Sequence, residues 1–278
     1  MKHTIFFLLT LALCWGCISD REPDARSKVT VELTVRPDPM TTTTRTTDEA
    51  AIRDLNFYLI DRKGAVVLYR YLTATTLRFE CLPGDYLVRI AANVGRSLGE
   101  TADLFQYKVT YQEHYNMLPM FCEQKTTISL SSDGVVQLPP ITVKRVVSKI
   151  SYNLTAKPAD MELKSVQLIS IPRTAVVFAP DGTAADNPDD YTDSPETTLT
   201  GQRAAGSYYM LPNRQGVNTS ITDQKQKNAD NAPACASWLL IRATRGSKVL
   251  AYSVYLGENN TSDFNVRANT HYRFNISI

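Results

Sequence analysis

The sequence predicts an all-β protein made of two tandem β-sandwich domains, mostly antiparallel with Greek-key connections. Three observations carry this. Short runs of β-branched and aromatic residues recur with period-two alternation, turn residues punctuate them, and almost no stretch shows the 3.6-residue period of an amphipathic helix. A chain of 278 residues with 43% hydrophobic content can fill two cores of ordinary domain size. Lys+Arg 30 against Asp+Glu 28 leaves a formal charge of only +2, which provides no polyanion-binding surface, so nucleic acid is not an expected partner.

The chain opens Met1-Lys2-His3, continues with an apolar run over residues 5–13, and reaches Cys14-Trp15-Gly16-Cys17. A basic start and a short apolar run define a secretory signal, too short to stay in a bilayer as a spanning helix. Gly16 before Cys17 is the cue for lipoprotein processing, so residues 1–17 read as a signal peptide ending at a lipidated Cys17. Cys14, preceded by Leu13, fits this less well. Ordinary cleavage that discards both cysteines is the alternative. Residues 18–27 (ISDREPDARS) are polar and aperiodic, a tether between the acyl anchor and the folded part.

The expected N-terminal domain covers 28–140. Val29, Val31, Leu33 and Val35 alternate with Thr30, Glu32, Thr34 and Arg36, a strand with one buried face, ended by Pro37 and Pro39. Residues 40–47 (MTTTTRTT) are a low-complexity linker that presents Arg45. Strands at 55–60 and 65–71 are joined by Asp61-Arg62-Lys63-Gly64, with glycine where a hairpin needs a positive φ. Strands at 77–81 and 86–92 repeat that arrangement around Pro83-Gly84-Asp85, and a short helix is expected near 100–107. The second domain, 141–278, starts with a long strand at 141–154 and continues with strands at 163–171, 207–211, 237–243, 248–256 and 272–278. Polar stretches at 179–206 and 212–234 are too long for tight turns and read as surface loops.

Catalytic signals are weak. Gly95-Arg96-Ser97-Leu98-Gly99 matches the G-x-S-x-G nucleophile elbow, and His271 follows in the expected order, but that elbow requires a strand-to-helix turn that this chain does not offer. Neither His114 nor His271 has a His or Cys partner at ligand spacing. The acidic run 181–193 departs from a calcium loop and contains Pro188, so solvation is its default. No phosphate-binding glycine loop occurs, and no metal or cofactor is expected. Cys81, Cys122 and Cys235 form neither a zinc pattern nor an even disulfide framework; one bridge between Cys81 and Cys122 and three buried free thiols both remain open.

Several ordered motifs resemble the fimbrillin superfamily, the subunits of the type V pili of Bacteroidales. The C-terminal ones are Tyr255-Leu256-Gly257-Glu258-Asn259-Asn260, Asp263-Phe264-Asn265-Val266-Arg267 and Asn269-Thr270-His271-Tyr272. Before them come Leu118-Pro119-Met120, the segment Val143-Lys144-Arg145-Val146-Val147-Ser148-Lys149-Ile150, and Tyr208-Tyr209-Met210-Leu211-Pro212-Asn213-Arg214-Gln215-Gly216 leading to Asn231-Ala232-Pro233. At Leu211-Pro212 the chain departs from the Pro-Glu pair usual in that superfamily. The resemblance implies transthyretin-like sandwiches, export as an outer-membrane lipoprotein, and proteolysis after an exposed arginine, here Arg45, with Arg36 second because Pro37 hinders most proteases. Cleavage would remove strand 28–36 and leave a groove for a strand from another pilus subunit. Shaft subunits carry a donor tail beyond the final strand, whereas this sequence stops at Ile278. The expectation is therefore a tip or minor subunit of a surface fimbrium, contributing to adhesion to a host or bacterial surface ligand. The alternative is a stand-alone outer-membrane lipoprotein that binds glycan or protein, for which Tyr208-Tyr209 offers an aromatic surface.

Overall fold

A computed structural model describes residues 27–39, 47–100 and 106–278. The signal segment with Cys17, the tether before Ser27, and Arg45 lie outside the described residues, as does most of the expected helix near 100–107. The first part contains strands β1 (Val29–Pro37), β2 (Leu55–Ile60), β3 (Val66–Leu72), β4 (Thr76–Cys81), β5 (Gly84–Ala92), β6 (Lys108–Thr110), β7 (Met120–Ile128), β8 (Val135–Gln137) and β9 (Ile141–Arg145). Eight of them join in the order β3-β2-β5-β7-β9-β1-β4, with β8 added beside β1. The sheet folds over at β9, which pairs antiparallel with β7 and parallel with β1. Phe57, Leu59, Val88 and Ile90 then meet Val31, Leu33, Leu77 and Phe79 in one core, where the Phe57 and Phe79 ring centroids lie 5.5 Å apart.

The second part contains β10 (Ser148–Thr155), β11 (Met161–Ile169), β12 (Ile171–Pro172), β13 (Thr174–Val176), β14 (Tyr191–Thr192), β15 (Thr197–Thr198), β16 (Arg203–Met210), β17 (Asn213–Val217), β18 (Trp238–Arg245), β19 (Lys248–Tyr255), β20 (Asp263–Val266) and β21 (His271–Ser277). Sheet β16-β10-β21 faces sheet β15-β11-β18-β19. Between them Ile150, Tyr152 and Leu154 bury against Leu163, Val166, Leu239 and Ile241. A third apolar cluster draws on both parts of the chain: Ala91 and Leu118 pack with Val146, Val147, Ala175, Val177 and Leu211.

The expected all-β fold and the alternating strands are as observed, and pairing is antiparallel except at β1–β8, β1–β9 and β10–β21. The 61–64 hairpin forms with Gly64 at φ +83°, a value that side chains rarely adopt. Two strand readings need correction. Strands 77–81 and 86–92 do not pair with each other: β4 lies beside β1, while β5 lies between β2 and β7, so the chain changes layers at Pro83-Gly84. Both strands alternate, and alternation cannot show which layer a strand joins. The long strand expected over 141–154 bends at Val146-Val147, because β9 completes the first core and β10 opens the second. The stretch 212–234, expected as loop, includes β17, which pairs with β20.

The loop between β19 and β20 is held from below by Lys227, only 8% exposed, whose Nζ donates to the Asn259 carbonyl at 2.7 Å and lies 5.1 Å from the Phe264 ring centroid. At Gly257 a Cβ would collide with the Asp263 carbonyl and crowd Lys227 Nζ, so only glycine lets this turn close. Burial pushes the Lys227 pKa down to about 8, opposed by the nearby Asp263 charge. The unfolded chain keeps this lysine charged up to about pH 10.4. Between these values the unfolded state binds the extra proton, so stability should rise with pH from about 8 to 10, by on the order of 1–3 kcal/mol from this group. The buried thiols, their pKa values raised by burial, work in the opposite direction over this range, so the readout is the difference. Between pH 7.5 and 9.5 urea unfolding should show wild type gaining stability relative to Lys227→Met, and equal pH slopes in the two proteins would refute the assignment.

Candidate functional site

The strand β1 occupies a slot bounded on both edges. Val29 to Thr34 pair antiparallel with Cys81 to Thr76 of β4. On the other edge Thr30 to Glu32 pair parallel with β8, and Val35 to Pro37 pair parallel with Ile141 to Val143 of β9. Val29, Val31, Leu33 and Val35 are at most 3% exposed, as the alternation predicts. Burying four such side chains contributes roughly 6–12 kcal/mol of gross transfer free energy. The outward face is polar: Glu32 pairs with Arg78 at 3.4 Å and accepts from Gln137, and Arg36 points to solvent. Directly opposite Val29, at the start of the slot, sits Cys81, whose thiol pKa is raised by burial.

A polar junction closes the far end. Asp38, one residue beyond β1, donates its N–H to the Val143 carbonyl at 2.8 Å. Its own carbonyl accepts from Arg145 Nη1 at 3.0 Å, and its Oδ2 accepts from Asn269 Nδ2 at 2.7 Å. Arg145 Nε donates to the Glu49 carbonyl at 2.9 Å, and the Glu49 carboxylate pairs with Lys149 at 2.6 Å, both side chains mostly buried. The chain thus leaves β1 at Asp38 and returns at Glu49 to one arginine that is itself 2% exposed. Tyr209 joins this cluster beneath Lys149, 5.7 Å from Nζ; burial and the Glu49 carboxylate raise its pKa.

Of the predicted processing residues, Arg36 lies in β1 paired with Thr142, so its backbone is committed to the sheet; a protease needs an unpaired extended segment. The residues of the junction, Asp38, Glu49, Arg145 and Asn269, were not singled out by sequence reasoning. A signal existed: Ile141, Val143 and Arg145 share one face of an alternating strand, and an arginine at an inward position requires buried partners.

The G-x-S-x-G segment is a clipped loop. Asp54 accepts from the Val94 and Gly95 N–H groups, Asn56 accepts from Leu98 N–H and donates to the Arg96 carbonyl, and Tyr58 donates to the Gly99 carbonyl. Ser97 Oγ bonds the Tyr69 hydroxyl, while His271 Nε2 bonds Ser151 at 2.7 Å. Burial, with Arg273 and Lys149 adding to it, pushes the His271 pKa down. In the acidic run, Asp181 accepts from Ala268 N–H and Asp193 from Ser170 N–H, so these carboxylates brace backbone rather than converge. Among the described residues no group of three His, Cys, Asp or Glu could hold a metal, and Cys81, Cys122 and Cys235 are all free and buried.

A sandwich whose first strand lies between two others, ahead of a second pair of facing sheets, is a fold that solved structures of fimbrial proteins share. Among solved structures the chain is similar to the tip fimbrial protein Mfa3 from Porphyromonas gingivalis with its C-terminus truncated, at 16% identity and TM-score 0.64, covering 91% of this chain and 95% of that one. It is similar also to a fimbrilin from Porphyromonas gingivalis (15% identity, TM-score 0.58, 90% and 89% coverage) and to a fimbrial assembly protein from Parabacteroides distasonis (12%, 0.51, 90% and 90%). The model of one family, described as a domain of unknown function (DUF4906), matches residues 208–276. No curated protein matches the sequence.

The slot makes a sharp distinction between faces. Leu33→Ala should destabilise the protein by about 2–5 kcal/mol, whereas Arg36→Ala should change stability by less than about 0.5 kcal/mol; equilibrium unfolding in urea measures both, and similar losses would show that β1 is not seated as described.

Proposed function

We propose that this chain is a structural, non-enzymatic subunit of a surface fimbrium, a tip or minor subunit that contributes to adhesion. It is exported as an outer-membrane lipoprotein acylated at Cys17. Proteolysis after Arg45 then frees the first strand, and the strand of another pilus subunit takes its place. The supporting observation is the setting of β1: it pairs on both edges, buries a complete apolar stripe, and connects to the remainder of the chain only through the segment between Asp38 and the short turn at Thr47–Ala50. Removal leaves the edges of β4, β8 and β9 with unpaired N–H and C=O groups beside an uncovered core, and an added strand satisfies both. Arg45 is favoured over Arg36 because Arg36 is bound within the sheet and precedes Pro37. The tip assignment leans on the likeness to a tip fimbrial protein. The two-sandwich division belongs to the same reading, but the boundary expected between 28–140 and 141–278 moves to Val146-Val147, because β9 completes the first core; the mixed apolar cluster there would hold the two together.

Intact-mass and N-terminal analysis of protein from the native cell surface tests this. Wild type should begin at Thr46 without an acyl group, and Arg45→Ala should remain acylated and unassembled, while Arg36→Ala should process normally. Cys81 provides an independent readout: shielded opposite Val29 in the intact chain, it should react with a thiol reagent at least tenfold faster once the strand is gone and be shielded again on assembly. An acylated Cys17 with residues 28–45 retained at the surface would refute strand removal and favour a stand-alone binding lipoprotein.

A further inference from the structure

The strands β1 and β21 lie end to end along one edge of the ribbon formed by β9 and β10. The Val143 carbonyl accepts from Asp38, Arg145 N–H donates to Asn269 Oδ1, the Val147 carbonyl accepts from Asn269 N–H, and Lys149 N–H donates to the Thr270 carbonyl. Residues 143, 145, 147 and 149 share one parity, so the edge that holds β1 passes without a break to β21. At the meeting point stands Asn269, in a left-handed conformation with φ +53°. Its Oδ1 is occupied by Arg145 N–H and Nη1, which fixes the amide orientation and aims Nδ2 at the end of the β1 slot.

Asp38 leaves with the first strand, and two donors then lose an acceptor: Asn269 Nδ2 loses the carboxylate and Arg145 Nη1 loses the carbonyl. Lys149 stands close by, paired with Glu49. We propose that this end of the slot selects the incoming strand, requiring an acidic residue at the register of Asp38 and rejecting a basic one. The inference rests on the strand-exchange reading and identifies the chemistry of the partner: an alternating apolar strand that ends in a carboxylate, aligned by Asn269 and Arg145. A strand lacking the carboxylate leaves the half-buried Asn269 Nδ2 without its acceptor, and one with lysine there brings a second cation beside the buried Arg145. The apolar stripe is blind to register along its length in steps of two residues, so a polar stop at one end also sets the depth of insertion.

The full chain, nicked by limited arginine-directed cleavage in the 40–46 segment, provides the test. Synthetic peptides of residues 28–39 (KVTVELTVRPDP) with Asp38 unaltered, Asp38→Ala or Asp38→Lys are offered to it. Peptide binding is followed by fluorescence anisotropy and slot occupancy by Cys81 labelling. The unaltered peptide should bind about tenfold more tightly than Asp38→Ala, and Asp38→Lys should be weaker still. In a chain carrying Asn269→Asp, which retains a residue that tolerates positive φ, the preference for the unaltered peptide over Asp38→Lys should narrow. Equal binding of all three, with Cys81 exposed by strand release and shielded by each peptide, would overturn selection at Asp38 alone. An unchanged preference in the Asn269→Asp chain would overturn the assignment to Asn269. Failure of the unaltered peptide to bind, with Cys81 still shielded after nicking, would overturn both this inference and the strand-removal reading.

Discussion

The pairing of β1 on both of its edges is the constraint on which the first sandwich depends. Without that strand, β4 has no partner, β8 has no place in the sheet, and the core formed by Phe57, Leu59, Val88 and Ile90 loses the wall supplied by Val31 and Leu33. A strand at a sheet edge could fray with small consequence. A strand between two neighbours cannot leave unless something replaces it, because each freed edge exposes a row of backbone donors and acceptors. Central position in the sheet, combined with connection through a single segment at one end, makes β1 structurally essential yet separable by one cut.

The polar junction at the end of that strand complements the apolar slot. Burial along β1 supplies most of the free energy but little information, since Val and Leu side chains substitute for one another at modest cost. Arg145, Asn269, Glu49 and Lys149 supply direction and register instead. Arg145 is buried, so its donors must be met by specific acceptors, and those acceptors come from Asp38, Glu49 and Asn269, distant in sequence. Some of the motif residues that resemble the fimbrillin superfamily gather near this point, while those at 257–264 surround Lys227. Pro119 accepts from Val146 N–H, Leu118 accepts from Asn93, and Leu211 packs with Val146 and Val147. In this chain these residues join the two halves around the arginine.

The nucleophile-elbow pattern shows why a motif needs its structural setting. Ser97 stands in a loop whose backbone is tied by Asp54, Asn56 and Tyr58, all projecting from β2 or the residue before it. Those buried polar side chains explain both glycines and the serine as parts of a clip, with Tyr69 as the hydroxyl partner. In the 181–193 run, the carboxylates of Asp181 and Asp193 are likewise spent on backbone N–H groups, those of Ala268 and Ser170 in distant connections.

Period-two alternation alone determined that the protein is all-β, that β1 has one buried face, and where most strands lie, because the side-chain period of a strand is a local property of the backbone. Cleavage after an exposed arginine was implied by the family resemblance; the Thr-rich stretch around Arg45 placed that residue first, and Pro37 placed Arg36 second. Partnership was not legible. That β4 pairs with β1 rather than β5, that β9 belongs to the first core, and that β1 and β21 share one ribbon edge are choices among strands with equivalent alternation, decided only when the apolar faces close on one another. The junction at Arg145 was hidden for the same reason: a buried arginine signals that partners exist, but Asp38, Glu49 and Asn269 meet it only through the tertiary path of the chain.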